Sequence, residues 1–226
     1  MTMQRDGAVY HYTDVRGRPV LRKIRREGWE ERRYKFRQQA AVYRDGYMAW
    51  KGSRGCLERY QPDWSAKAMY NLPSLLSALR VHAPVYFCEG ERDCDTGTAL
   101  WGWATTTNWQ GAAEFNPDQA EWFTRYGSRS RIKILVDNDD AGHYAANLRR
   151  RRLVGAGVDP KRIRLYRPID PAHKDLTDVA GVGLGLSAYE RLRPSEVRER
   201  AGTYRASLRA SGERISWREY QSGVAQ

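Results

Sequence analysis

The chain from residue 85 to residue 168 shows short apolar runs separated by longer polar segments. The runs typical of buried strands are VYFCE at 85–89, WATTT at 103–107, RIKILVD at 131–137 and RIRLYRP at 162–168. The segments between them that have helical character are 92–100, 117–126 and 141–154. Strands that alternate with helices at this spacing predict a parallel α/β sheet.

The first third of the chain has a different pattern, in which apolar and polar positions alternate. Segments 8–27 and 31–43 alternate in the way of β-strands, and turn signals lie at 14–17 and at Asp45-Gly46. This pattern predicts a small antiparallel β unit. A helix is predicted to begin at Leu72, with Pro73 in its first turn.

Three parts are expected along the chain. Residues 1–68 form a basic N-terminal β subdomain and residues 69–185 form an α/β domain. Residues 186–226 form a polar C-terminal tail, with a helix predicted at 194–210. The expected fold class is therefore α/β, with a parallel sheet flanked by helices and preceded by antiparallel strands.

Composition argues against several classes of protein. No apolar stretch reaches the roughly 20 residues of a membrane-spanning helix, and the N-terminus lacks the apolar core of a signal peptide. Cys56, Cys88 and Cys94 are too scattered for a disulfide framework. Without a CxxC pair, or histidines at ligand spacing, no zinc site is expected. We expect a cytoplasmic protein with no membrane partner.

Charge is distributed unevenly along the chain. The formal net charge is +12, and residues 1–60 carry 15 Lys and Arg against 7 Asp and Glu. Residues 85–124 reverse this balance, with seven acids and a single base, Arg92. The basic excess favours a polyanionic partner such as nucleic acid. The acidic region favours a bound metal ion, although acids that cap helices and face solvent also account for it.

Acidic residues follow three of the predicted strands. Glu89 ends the first buried strand, Asp137 and Asp139 end the strongest one, and Asp175 follows the last by a short loop. Sites in open α/β sheets form at the carboxyl ends of the strands. Hard oxygen ligands favour Mg²⁺ or Mn²⁺ over zinc. The sequence therefore predicts a divalent-cation site at this edge.

The strings around these acids resemble the Toprim domain, the catalytic module of bacterial-type DNA primases, topoisomerases and several nucleases. CEGERD matches its first element, VDNDDAG its Asp-x-Asp element, and HKDLTD the Lys-Asp-x-x-Asp element of phage and plasmid primases. The positions that carry the match are Glu89, Gly90, Asp93, Asp137, Asp139, Gly142, Asp175 and Asp178. The resemblance covers a little over half of the chain.

The surroundings of these elements favour the primase branch. The segment AMYNLPSLLSAL and the basic β unit before it resemble the corresponding parts of phage primase-like proteins. The chain is too short for a topoisomerase and contains no P-loop. It also lacks the N-terminal zinc-binding module of complete primases of this type. Template recognition is therefore expected to involve a partner such as a replicative helicase or a zinc-bearing protein.

The resemblance also implies roles for individual residues. Asp137, Asp139 and Asp175 would hold one or two Mg²⁺ or Mn²⁺ ions, and Glu89 would be a further ligand or the general base. Lys174, beside Asp175, would offset the local negative charge. Basic residues would hold the template or the triphosphate: Lys51, Arg54 and Arg59. Arg149 opens the run Arg149 to Arg152, for which a DNA contact and a plain solvent-facing surface are equally open.

Three classes of function remain open from the sequence. The first is a primase-like polymerase that makes short RNA primers from ribonucleoside triphosphates on single-stranded DNA. The second is a Toprim nuclease that uses the same metals, and the third is a replication accessory protein that binds nucleic acid without turnover. The intact set of acids speaks against the third class. The basic β unit favours the first over the second.

Overall fold

The computed structural model describes residues 6–26, 36–52, 55–111, 114–126 and 129–211. The chain divides into two compact units, Met1–Pro73 and Ser74–Gln226. The predicted boundary after residue 68 precedes this division, and the predicted tail at 186–226 falls within the second unit.

The first unit is built on a four-stranded antiparallel sheet in the order β1-β2-β3-β4. The elements of this part of the chain are β1 Asp6–Thr13, β2 Pro19–Arg26, β3 Phe36–Arg44, β4 Tyr47–Lys51, α1 Cys56–Tyr60 and α2 Pro62–Ser65. Tyr12, Leu21 and Ala40 are cross-strand partners and all three are fully buried. Val20, Ile24 and Ala41, which point to the other face, are buried as well, so apolar side chains lie on both faces of this sheet.

Both predicted turns of the first unit are formed. The Oδ1 atom of Asp14 accepts hydrogen bonds from the main-chain nitrogens of Arg16, at 2.8 Å, and Arg18, at 2.9 Å. This side-chain bonding closes the turn between β1 and β2. Gly46 has a φ of 81°, which a glycine adopts without steric cost, and it follows Asp45 in the turn between β3 and β4.

The second unit contains a five-stranded sheet in the order β6-β5-β7-β8-β9. The strands are β5 Val85–Phe87, β6 Ala104–Thr106, β7 Ile132–Leu135, β8 Ile163–Pro168 and β9 Tyr189–Leu192. The helices from residue 72 onward are α3 Leu72–Arg80, α4 Glu91–Trp101, α5 Pro117–Arg125, α6 Asp140–Gly155, α7 Leu176–Gly181 and α8 Pro194–Ala210. The first four strands of this sheet are parallel, and β9 pairs with β8 in the antiparallel sense.

Helices cover both faces of this sheet. Phe87 in β5 packs against Phe123 in α5, with ring centroids 5.8 Å apart. On the opposite face, the Thr105 hydroxyl of β6 donates to the Cys94 carbonyl of α4 at 2.9 Å. Because both faces of the sheet are covered, the sequences of these strands are apolar runs and do not alternate strictly between apolar and polar residues. None of the helices in the described ranges combines the length and the apolarity needed to cross a membrane.

The structure confirms the predicted fold class and adds elements that the sequence analysis did not predict. The α/β sheet, the preceding antiparallel subdomain and the helix at 194–210 are all present. The strand β9 lies in the segment that was predicted to be a polar tail. Its residues Glu190 and Arg191 are polar and outward-facing, so that only Tyr189 and Leu192 are buried and the apolar signal is short.

Candidate functional site

Four carboxylates lie together at the carboxyl-terminal edge of the parallel strands. Glu89 follows β5 by two residues and Asp137 follows β7 by two residues, and these strands are neighbours in the sheet. Asp139 is the N-cap of α6, and Asp175 is the N-cap of α7. Their negative charges act on one another, because Glu89, Asp175 and Asp139 all raise the pKa of Asp137. The structure thus places the sequence-predicted acids in one cluster.

Asp137 is the buried member of this cluster, and Glu89 is half-buried with its Oε2 atom inside the protein. Asp137 is only 8% exposed, and burial, with Glu89 as the next contributor, raises the pKa of Asp137 to about 9. Burial also raises the pKa of Glu89, and the positive charge of Arg149 opposes that rise. The two carboxyls therefore oppose each other's ionisation.

Asp139 is in the opposite electrostatic state. Its Oδ1 atom accepts a hydrogen bond from the Gly142 nitrogen at 2.7 Å, and its Oδ2 atom lies 2.8 Å from Lys174 Nζ. Burial raises the pKa of Asp139, but these two interactions outweigh it, so the pKa lies below its usual value. Asp139 is therefore the ionised member of the Asp-x-Asp pair, and its cap fixes the start of α6.

The other two predicted acids serve the loop that carries Lys174. The Oδ1 atom of Asp175 accepts from the Asp178 nitrogen at 2.9 Å, and the Asp178 Oδ2 atom accepts from the Lys174 nitrogen at 2.9 Å. Asp178 is exposed. These bonds hold the segment before α7 in one conformation, which keeps Lys174 beside Asp139.

Asp93 links two helices beneath the cluster. Its Oδ1 atom accepts from the Thr177 nitrogen at 3.1 Å and from the Thr177 hydroxyl at 2.7 Å, which joins α4 to α7. Burial, with Asp175 as the next contributor, raises the pKa of Asp93 to about 6. Asp93 is only 6% exposed and its bonded oxygen is committed to Thr177. Asp93 therefore holds α4 against α7 through Thr177.

The two predicted glycines occupy turns at the strand ends. Gly90 is the N-cap of α4, directly after Glu89, with an extended backbone. Gly142 lies in the first turn of α6, where a Cβ atom would stand 2.5 Å from the Asp137 carbonyl oxygen and 2.7 Å from its Cβ. No side chain fits at Gly142 without a shift of the helix. This close contact lets α6 begin directly against Asp137.

The donor chemistry of the cluster fits a hard divalent cation. Glu89 Oε2 is buried and accepts no hydrogen bond from the described residues. Its lone pairs are therefore available to coordinate a cation. As the side chains stand, no three Asp, Glu, His or Cys residues of the described ranges are arranged to hold a metal ion. Both oxygens of Asp139 are already engaged, by Gly142 and Lys174. Cation binding at Asp139 therefore requires Lys174 to move aside.

The predicted nucleic-acid contacts have different outcomes. Lys51 at the end of β4 and Arg59 in α1 are exposed, and both belong to the basic first unit. Arg54 lies outside the described residues. The prediction that Arg149 contacts nucleic acid or faces solvent is wrong, because Arg149 is only 1% exposed. Its guanidinium points into the core of the second unit, over the ring of Phe87 at 4.5 Å.

Several polar residues that hold the site together were not predicted from the sequence. Thr107 follows β6, and its hydroxyl donates to the Glu89 carbonyl oxygen at 2.9 Å. Asn108 and Thr107 both accept from Arg149 Nη2, and Thr177 binds Asp93. One signal was available for Thr107, since it follows its strand at the same edge as Glu89 and Asp137. The contacts of Thr177 and Arg149 depend on packing between helices, and no local pattern reveals them.

No protein-family model matches the chain, and no curated protein matches its sequence significantly. Comparison with solved structures does find similar folds. A DNA primase domain from Pseudomonas aeruginosa matches with a TM-score of 0.55 and 16% identity, over 87% of this chain and 50% of that one. The zinc-binding and RNA polymerase domains of the Aquifex aeolicus primase match with a TM-score of 0.53 and 17% identity, over 86% and 39%.

A third neighbour is the RNA polymerase domain of the Mycobacterium tuberculosis primase DnaG, whose structure contains double-stranded DNA. It matches with a TM-score of 0.50 and 13% identity, over 88% of this chain and 57% of that one. The chain therefore spans less than two thirds of each of these neighbours. At these identities the likeness concerns the fold, and the carboxylate cluster lies on a chain with the fold of DNA primase catalytic cores.

Proposed function

We propose that this chain is a DNA primase of the Toprim type, which makes short RNA primers on single-stranded DNA from ribonucleoside triphosphates. The observation that carries the proposal is the cluster of buried Asp137, half-buried Glu89 and Asp139 at the strand ends of a primase-core fold. Carboxylates are costly to bury together without a cation, and divalent cations serve phosphoryl and nucleotidyl transfer. The phage or plasmid branch remains a prediction from the sequence.

The proposed ligands are Glu89, Asp137, Asp139 and Asp175. These residues would hold Mg²⁺ or Mn²⁺, which would supply positive charge to offset the negative charge of the phosphate oxygens. In the transfer itself, the 3′-oxygen of the primer bonds to the α-phosphorus of the incoming nucleotide. The bond from that phosphorus to the bridging oxygen of pyrophosphate breaks, and the hydroxyl proton passes to a base.

Glu89 fits the role of that base as well as the role of a ligand. Burial raises its pKa, and a carboxylate with a raised pKa is a better proton acceptor near neutral pH. Lys174 carries a positive charge 2.8 Å from Asp139 and its side chain is 57% exposed. It can therefore turn from Asp139 to a phosphate of the nucleotide without crossing the protein interior.

The basic first unit is proposed to bind the template. Its exposed residues Lys51 and Arg59 offer charge for phosphate groups, and positive charge supplies most of the sequence-independent affinity for nucleic acid. Arg54 belongs to the same proposal from the sequence. Its contribution is measured with the same assays as that of Lys51 and Arg59.

The site residues are tested by isosteric substitution. Glu89→Gln and Asp137→Asn keep the side-chain shapes and remove the negative charges, so we expect each to reduce metal-dependent primer synthesis by at least about a hundredfold. Asp118→Asn changes an exposed acid in the first turn of α5 and is the matched control. The measurement is incorporation of labelled ribonucleotides on single-stranded DNA with Mn²⁺. Full synthesis by either site variant would contradict the proposal.

A further inference from the structure

Arg149 is the largest fully buried side chain among the described residues, and the proposed chemistry gives it no role. Its Nη2 atom lies 3.3 Å from the Glu89 carbonyl oxygen, 3.4 Å from the Thr107 hydroxyl and 3.3 Å from the Asn108 Oδ1 atom. These contacts are long, and one nitrogen shares them among three acceptors. All three acceptors lie just beyond the ends of β5 and β6.

Packing alone does not explain a guanidinium at this position. Within the described ranges, Arg149 forms no salt bridge to a carboxylate within 4.0 Å, and its buried Nε atom has no hydrogen-bond partner. A buried charge without a close partner costs several kcal/mol, and an apolar side chain of similar size costs less there. What Arg149 supplies and an apolar residue does not is a donor to the Glu89 main chain and a positive charge near Glu89 and Asp137.

The contacts of Arg149 join the two segments that carry the carboxylates. Arg149 lies in α6, the helix that Asp139 caps and that begins directly against Asp137. Its guanidinium reaches the main chain of Glu89 at the end of β5. The Thr107 hydroxyl donates to that same carbonyl oxygen at 2.9 Å. The Glu89 carbonyl is therefore held by two donors, Arg149 from α6 and Thr107 from the end of β6.

We propose that Arg149 is a positioning residue for the carboxylate site, and that with Thr107 it fixes Glu89 relative to Asp137 and Asp139. The inference rests on the proposed function, because it concerns the same site. Arg149 acts through the main chain and contacts neither nucleotide nor template. Without the hydrogen bond from Arg149, the Glu89 main chain is free to move. The proposed ligands would then all be present but in a less favourable geometry for the cation.

The test measures binding of Mn²⁺ to the 226-residue chain by calorimetry, without nucleotide or DNA. Arg149→Lys keeps the charge and loses the fork of donors, and Thr107→Val removes the second donor on the Glu89 carbonyl. Groups that orient metal ligands typically contribute 10- to 100-fold to affinity, so we expect each variant to weaken Mn²⁺ binding by roughly tenfold. The double variant should bind no more than slightly worse than either single variant, since both act on one carbonyl.

Matched controls come from the same helix and the same site. Arg151→Lys changes an exposed arginine of α6, and Thr107→Ser keeps the hydroxyl. Both should bind Mn²⁺ as the wild type does. Primer synthesis adds a second readout: we expect Arg149→Lys to lower kcat and leave the KM for DNA unchanged, because Arg149 is buried away from the template.

The outcomes separate the inference from the proposed function. Wild-type Mn²⁺ affinity in both Arg149→Lys and Thr107→Val overturns the inference, as does a loss of thermal stability with no loss of Mn²⁺ affinity. If Arg149→Lys does not fold, the comparison of Thr107→Val with Thr107→Ser decides the matter alone. A wild-type chain that binds no Mn²⁺ and makes no primers contradicts the proposed function, and the inference falls with it.

Discussion

Asp137 is the most buried of the four residues in the carboxylate cluster. It is 8% exposed, and burial together with Glu89 raises its pKa from the usual 3.8 to about 9. A carboxyl whose pKa is raised on folding binds its proton more tightly in the folded state than in the unfolded state. Its protonation therefore stabilises the metal-free fold. That contribution is full below about pH 4 and is lost as the pH rises through about 9.

The first prediction concerns this pH dependence. In a chelator, we expect the thermal midpoint of the wild type to fall between pH 5 and pH 9, and Asp137→Asn to remove most of that fall. At pH 8 the variant should melt at least about 3 °C higher, the shift that corresponds to about 1 kcal/mol in a chain of this size. Thermal denaturation followed by circular dichroism measures both. If the thermal midpoints of the two proteins change with pH in the same way, Asp137 is not the group whose pKa is raised on folding.

The second prediction concerns Lys174, which is bound to Asp139 Oδ2 at 2.8 Å. A cation at Asp139 must displace it, so Lys174→Met should tighten Mn²⁺ binding in the absence of nucleotide. An exposed ion pair contributes about 0.2–1 kcal/mol, which corresponds to an increase of up to about fivefold. Lys161→Met, at an exposed lysine outside the cluster, is the control. Weaker Mn²⁺ binding by the Lys174 variant would mean that Lys174 orders Asp139 rather than competing for it.

At the level of elements, the start of α6 decides the geometry of the site. Asp139 caps the helix, and Gly142 brings its first turn against the Asp137 main chain. A helix that began farther from β7 would carry Asp139 away from Asp137. The relative position of Asp137 and Asp139 therefore depends on Gly142, which has no side chain to take part in the reaction.

The third prediction follows from that contact. In Gly142→Ala the new Cβ would meet the Asp137 carbonyl oxygen at 2.5 Å, so α6 must shift. We expect a loss of about 1–3 kcal/mol in the free energy of unfolding and weaker Mn²⁺ binding. Gly155→Ala, at the open end of the same helix, meets nothing within 4 Å and is the control. Urea denaturation and calorimetry give the two quantities, and equal behaviour of the two variants would refute the close-contact argument.

Elements with a strong local signal could be predicted from the sequence, and those without one could not. The run at 131–137 contains β7, because a short apolar run is typical of a buried strand, and Pro194–Ala210 is a helix as predicted. The helices α2 and α7, each six residues or fewer, depend on the packing around them rather than on a periodic face. The motif acids were found because they follow strands, whereas the burial of Arg149 depends on contacts with distant segments.

At the level of the whole molecule, positive and negative charge serve different parts of the chain. The net charge of +12 combines a basic first unit with an acidic cluster in the second. Under the proposed function the cluster would hold cations and the basic surface would hold a polyanion, so one overall charge describes neither. Both properties are required if a nucleotide and a template strand are to be bound by one chain.

The fourth prediction concerns the basic surface. Binding to single-stranded DNA should weaken steeply with salt, and neutralising Lys51 and Arg59 as Lys51→Gln and Arg59→Gln should reduce the slope of log affinity against log salt. Each lost phosphate contact on a single strand lowers that slope by about 0.7. Fluorescence anisotropy over a series of salt concentrations measures it, with Lys161→Gln as the control. An unchanged slope would place the template on another surface.

The most direct test of the account is whether the wild-type protein makes RNA on a DNA template. The protein is incubated with single-stranded DNA, Mn²⁺ and labelled ribonucleoside triphosphates, and the products are separated by size. We expect short labelled products that require the template, the nucleotides and the metal, and that disappear with Asp137→Asn. Shortened DNA in the absence of nucleotides, or no labelled product under conditions in which the protein binds DNA and Mn²⁺, would contradict the account.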